Sequence, residues 1–215
     1  MRYYFETYDN NDQIKKDILE NLTYVFDKYE CSGIVMPVFT CINELLVNAV
    51  KANFKNLYFE KYAPCNNALD VIPYHKALQL FKLEMATNRI DYLVSMAKEN
   101  GIITGIEICV DNDKTLTITV SNPSAMTEVE EENINKKREF AKKYNNLTEY
   151  FCEVESDPNK EGGGLGILFI IMVLKSFGLN EDNLKIFSEK KKTFSILQIP
   201  LIRETVINYL NNTGV

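Results

Sequence analysis

Between Asn43 and Asn53 the chain reads NELLVNAVKAN, and this segment restricts the fold more than any other. Ile42, Leu45, Leu46, Ala49, Val50 and Asn53 recur at the spacing of one helical face, and all but the last are apolar. That face belongs in a core. Glu44, Asn48, Lys51 and Lys55 fall on the opposite face at steps of four, three and four, so a carboxylate and a carboxamide project side by side one turn apart. An amphipathic helix with a solvated Glu44 and Lys51 would show the same pattern, so a second signal has to decide whether the polar face binds anything.

The second signal lies far downstream at Glu161 to Phe169, EGGGLGILF, where a glycine cluster runs into an apolar stretch of helical length. Residues without Cβ let successive backbone N–H groups curl around an anion, and a helix starting near Leu165 adds its positive end. No Lys followed by Ser or Thr comes after the glycines, which excludes a Walker loop. A charged segment rather than a strand precedes them, which makes a dinucleotide fingerprint a poor fit. A hinge without any ligand is the plain alternative.

Taken together, Glu44 and Asn48 with Gly162, Gly163, Gly164, Leu165 and Gly166 resemble the motifs of the GHKL ATPases, which include histidine-kinase ATP domains and anti-sigma-factor kinases. In that family a helix with Glu and Asn at this spacing precedes, at a similar distance, a GxGLG segment that closes over the phosphates. The resemblance implies an α/β (α+β) fold, a two-layer sandwich of the Bergerat ATP-binding type with a mixed sheet covered on one face by helices. It implies ATP and Mg²⁺ as cofactors. Asn48 would be the metal ligand, since a neutral carboxamide oxygen and the phosphates suit a hard cation. Glu44 would act as general base or orienting acceptor near the γ-phosphate. Lys51 and the segment Gly162 to Gly166 would join Asn48 in binding the nucleotide. At the adenine end the family has an aspartate followed by glycines; here Asn122 stands in that place, followed by Pro123, Ser124 and Ala125. Asn122 still offers a side-chain oxygen to the adenine amino group. Thr193 resembles the family's late-strand threonine, which meets adenine through a water.

A chain of 215 residues holds one sizeable core, and a single domain over 1–215 is expected. A net charge of -6 argues against a nucleic-acid partner held by phosphate neutralisation. The lysines at 190–192 read as a hairpin turn. The basic residues Lys136, Lys137, Arg138, Lys142 and Lys143 alternate with Glu128 to Glu132 as the solvated face of a mixed-charge helix. Five cysteines without a CxxC suggest reduced thiols rather than disulfides or zinc. The longest apolar run, Leu165 to Leu174, falls short of the roughly 20 residues that span a bilayer, and no signal segment opens the chain, so a cytoplasmic protein with no membrane partner is expected.

In chain order, the pattern predicts a short strand in Met1 to Tyr8, a helix from Asp12, and the helix bearing NELLVNAVKAN from about Pro37 to Tyr62. A loop and one long helix, Tyr74 to about Lys98, then form an insertion at about 63–101 that would serve as a docking or homodimer surface or simply cover the sheet. Two β-branched hairpins are expected, Gly105–Val110 with Thr115–Asn122, and Asn183–Ser188 with Thr193–Pro200. Between them lies a charged segment, about 123–163, with a helix near Glu128 to Tyr144; in the resemblance it is the ATP lid. A helix from Leu165 to Phe177 precedes the second hairpin, and another from Arg203 to Leu210 follows it. His75, the sole histidine, follows the NELLVNAVKAN helix and precedes Lys76, which speaks against histidine autophosphorylation. The expected activity is γ-phosphate transfer to a protein partner in signalling. The alternative is a nucleotide-dependent binding module without transfer.

Overall fold

The computed structural model describes residues 1–62, 74–86, 90–144 and 165–213. Strand β1 (Arg2–Thr7) leads to helix α1 (Asp12–Lys28), whose Asn11 cap accepts a hydrogen bond from the Ile14 N–H at 3.0 Å. A short 3₁₀ turn, Ser32–Ile34, leads into α2 (Val35–Tyr62), with Pro37 in its first turn as expected. The expected single helix after it is two, α3 (Tyr74–Ala86) and α4 (Ile90–Glu99). The apolar pattern runs through both, so periodicity alone could not separate them. His75 lies in the first turn of α3. Gly101, at φ +63°, follows the end of α4 as a left-handed stop.

Strands β2 (Thr104–Val110) and β3 (Thr115–Asn122) form one hairpin, and β4 (Leu184–Glu189) and β5 (Lys192–Pro200) the other. The second hairpin turns on Lys190 and Lys191, both at positive φ (49° and 64°), the backbone shape usually given to Asn-Gly. Helix α5 (Glu128–Ala141) starts in the segment between the hairpins. Helix α6 (Leu165–Ser176) precedes the second hairpin, and α7 (Arg203–Thr213) ends the described chain.

The sheet order is β1-β2-β3-β5-β4, and every pair is antiparallel. This corrects the expected mixed sheet. Each hairpin is antiparallel by its turn, and the long connection through α5 and α6 returns β5 alongside β3 in the opposite direction, so no parallel pair arises. The architecture is therefore α+β, an antiparallel sheet with helices against it. Ile106, Ile108, Val110, Leu116, Ile118, Val120, Leu197 and Ile199 are buried on one face. Ile42, Leu45, Leu46 and Phe54 of α2 are buried in the same cluster, with Ile170, Ile171 and Leu174 of α6. The other face carries Arg2, Tyr4, Glu107, Thr117 and Thr119, none of them buried.

By length and composition alone, Ser32–Tyr62 is apolar enough to cross a membrane, which the reading of uninterrupted runs missed because polar residues punctuate it. In this fold half of its most apolar window is buried inside the protein.

Candidate functional site

The two faces of α2 separate as their sequence requires. Ile42, Leu45, Leu46, Ala49 and Val50 are buried, and Glu44, Asn48 and Lys51 line a cavity of about 510 Å³. Asn122 at the end of β3, Thr193 and Ser195 of β5, and Leu165 and Gly166 at the start of α6 line it too. Four stretches of chain thus converge on one cavity. Gly162, Gly163 and Gly164 lie outside the described residues.

Gly166 shows why the approach of α6 to α2 needs a glycine. A Cβ there would stand 2.4 Å from Glu44 Oε2 and 3.6 Å from Asn48 Nδ2. The start of a helix, with its unpaired N–H groups, is thereby set directly against the polar row of α2.

At the other end, the segment after β3 is tied down by side chains. Thr193 donates its hydroxyl to the Ser124 carbonyl at 2.6 Å, and the Ser188 hydroxyl accepts from the Met126 N–H at 2.8 Å. Asn56 of α2 hydrogen-bonds the Ser124 hydroxyl. Thr193 therefore spends its hydroxyl hydrogen on the protein while still lining the cavity. Asn122 is only 4% exposed; its Nδ2 donates to Asn53 Oδ1 at 3.2 Å, and Asn53 Nδ2 donates to Thr104 Oγ1 at 3.0 Å. Asp111 is used up elsewhere, its carboxylate accepting from the Asp113 and Thr115 N–H groups in the β2–β3 turn.

The opposite wall is α5. Glu130, Asn133, Ile134 and Lys137 recur at i, i+3, i+4 and i+7 and all line the cavity. The mixed-charge helix is thus not simply solvated, a correction to the sequence reading. The helical spacing was visible, but nothing in a run of charges says which face meets another element. Thr127 and Glu130 close a capping box at its start. Glu130 also pairs with Lys55, whose side chain is buried on α2. Burial acts against the Glu130 charge, yet hydrogen bonds from Lys55 and Thr127 outweigh it and hold the carboxyl below its ordinary pKa. Arg138 donates to the Glu181 carbonyl at 2.9 Å, and Lys175 of α6 donates to the carbonyls of Ala141 at 2.8 Å and Tyr144 at 2.5 Å, pinning the far end.

Lys137 has no acidic partner among the described residues, and burial pushes its pKa down. Lys51 likewise has no ion-pair partner among them. Two ammonium groups without an acidic partner among the described residues, a helix start and a carboxamide on one cavity, with Glu44 beside them and Glu130 taken up by Lys55, suit an anionic ligand that also carries polar groups. Among the described residues no cluster of three or more His, Cys, Asp or Glu could hold a metal by protein ligands alone. Sequence reasoning set Lys55 on the open polar face, where the structure buries it against Glu130, read Lys137 and Glu130 as solvated, and missed Asn56 and the Asn53 contact. Asn53 had left a trace as the one polar residue in an apolar stripe.

No family model matches this chain, and no solved structure matches it. Its sequence is similar to an uncharacterized protein of Treponema pallidum (strain Nichols), 31% identical over 163 residues. The match covers 74% of this chain and 30% of that protein, so the chain spans less than a third of the relative's length.

Proposed function

We propose that the chain is a GHKL-type domain of Bergerat architecture that binds Mg-ATP in this cavity and passes the γ-phosphoryl group to a protein partner in signalling. The observation that carries the reading is the convergence of Glu44, Asn48, Lys51, Asn122, Thr193, Leu165 and Gly166 on one cavity from four separate stretches. The donor set fits the ligand. Lys51, Lys137 and the start of α6 offset polyphosphate charge, Asn48 offers a neutral oxygen to the cation, and Asn122 keeps a polar tip for a base. ATP with magnesium supplies, when bound, a transferable phosphoryl group whose charge the metal helps to neutralise. Glu44 accepts a proton from, or orients, the attacking hydroxyl or water. Its place beside the start of α6, where Gly166 admits its carboxylate, supports that role.

The competing reading is a regulatory module in which ATP orders a binding surface without transfer, and the neutral Asn122 in place of an aspartate favours it. One experiment separates the two. Mg-ATP affinity by calorimetry and single-turnover loss of the γ-phosphate, with a partner present, are compared for the protein and Glu44→Gln. Transfer predicts near-equal affinity and a fall in turnover of about 10²-fold or more. No turnover in either protein favours the binding module, and no binding at millimolar Mg-ATP to a folded sample overturns both.

A further inference from the structure

Asn53 sits on the packing face of α2 and is 2% exposed, Thr104 of β2 is 0% exposed, and Asn122 alone of the three lines the cavity. They form a chain of hydrogen bonds, Asn122 Nδ2 to Asn53 Oδ1 at 3.2 Å and Asn53 Nδ2 to Thr104 Oγ1 at 3.0 Å. In this sense Asn122 Oδ1 has no partner among the described residues and is left to the cavity as an acceptor. The Thr104 hydroxyl only accepts, and its hydrogen finds no acceptor among the described residues although Thr104 is fully buried.

Turning both carboxamides by half a rotation keeps their heavy atoms in place and reverses the chain. The Thr104 hydroxyl then donates to Asn53 Oδ1, Asn53 Nδ2 donates to Asn122 Oδ1, and Asn122 Nδ2 is left to the cavity as a donor. Each sense makes two bonds. The first strands a buried hydroxyl hydrogen and the second does not, a difference comparable with what one ligand hydrogen bond contributes.

We propose that this reversible chain makes the cavity a site for both 6-amino and 6-oxo purine nucleotides, with Asn122 accepting from an exocyclic amine in one sense and donating to an exocyclic carbonyl in the other. The inference rests on the nucleotide reading above. An ionised carboxylate at position 122 would accept only. The neutral amide is therefore a two-way contact, and Asn53 is the positioning residue that lets it turn.

The test is calorimetric titration of the full chain with Mg-ATP and with Mg-ITP. ITP carries the 6-oxo group with nothing added at position 2, so the pair isolates one contact. The two affinities are expected to agree within about tenfold, with ITP the tighter, because each nucleotide gains one neutral hydrogen bond and only the ATP sense leaves the Thr104 hydroxyl hydrogen without an acceptor. Tighter binding of ATP by about 30-fold or more would overturn the two-way chain and leave nucleotide binding standing. Absence of binding by both would overturn the nucleotide reading itself and this inference with it. Asn53→Asp provides the second arm. A carboxylate there accepts from both Thr104 and Asn122, holds Asn122 Oδ1 toward the cavity, and is expected to spare ATP while weakening ITP by about tenfold. A purely structural Asn53 would move both nucleotides together, which would also overturn the proposal. If that variant does not fold, Asn122→Asp makes the same acceptor-only site and must show the same selective loss of ITP.

Discussion

Helices α2 and α5 supply two walls of one cavity, and they are held in place by different forces. Helix α2 buries Val38, Ile42, Leu45, Leu46, Phe54 and Leu57 in the core. In α5 only Ala141 is buried, with Ile134 and Phe140 partly buried against the core, and the helix is held in addition by a capping box, the Lys55–Glu130 pair, Arg138 on the Glu181 carbonyl, and Lys175 on the Ala141 carbonyl. Apolar burial is non-directional and needs many residues at a regular spacing, whereas pinning by a few hydrogen bonds is local and directional. The first kind of wall is a pillar of the fold, and the second is an attachment whose contribution lies mostly in what it presents.

This contrast is broken most directly in α2. Leu46→Ala removes a side chain that is 1% exposed and is expected to cost about 2–5 kcal/mol of unfolding free energy, read by urea denaturation. A loss below about 1 kcal/mol would mean that α2 is no more deeply anchored than α5.

The next effect belongs to the pin. Glu130→Gln removes the partner of a buried lysine and is expected to cost about 1–3 kcal/mol. The folded carboxyl titrates below its ordinary value of 4.5, so its contribution is present above that pH and is lost as the pH falls through the lower folded value. The stability gap between the protein and the variant should therefore be full at neutral pH and close on acidification. A gap that persists unchanged into acid would take the charge out of the pin.

The smallest effect on stability is expected at Lys137. Its charge is opposed by burial and offset by no acid among the described residues, so Lys137→Met should change stability by no more than about 0.5 kcal/mol near neutral pH. Affinity for Mg-ATP should nevertheless fall by about tenfold, the value of one charge-assisted hydrogen bond. A stability loss as large as that of Glu130→Gln, with affinity intact, would make Lys137 a structural residue.

The NELLVNAVKAN segment specified by itself a helix with a core face and a polar face, because burial at a spacing of 3.6 residues is written residue by residue along the chain. The two β-branched hairpins and the apolar helix from Leu165 were legible for the same reason, each to within a residue or two of its ends. The split of α3 from α4 was hidden because both halves share one apolar periodicity. The antiparallel course of the whole sheet was hidden because strand direction depends on the path of the connections. The cavity's far wall was not legible either. A glutamate, an asparagine and a lysine in a charged run are indistinguishable from solvated residues until Lys55, 75 positions away, is brought to Glu130. Asn53 stood in the sequence as an anomaly in an apolar stripe, and tertiary structure gave it a purpose by setting Thr104 and Asn122 on either side. Local periodicity follows from the order of residues, but pairing across the fold depends on which distant groups share a buried space, where an unmatched polar atom is costly and a matched one sets direction.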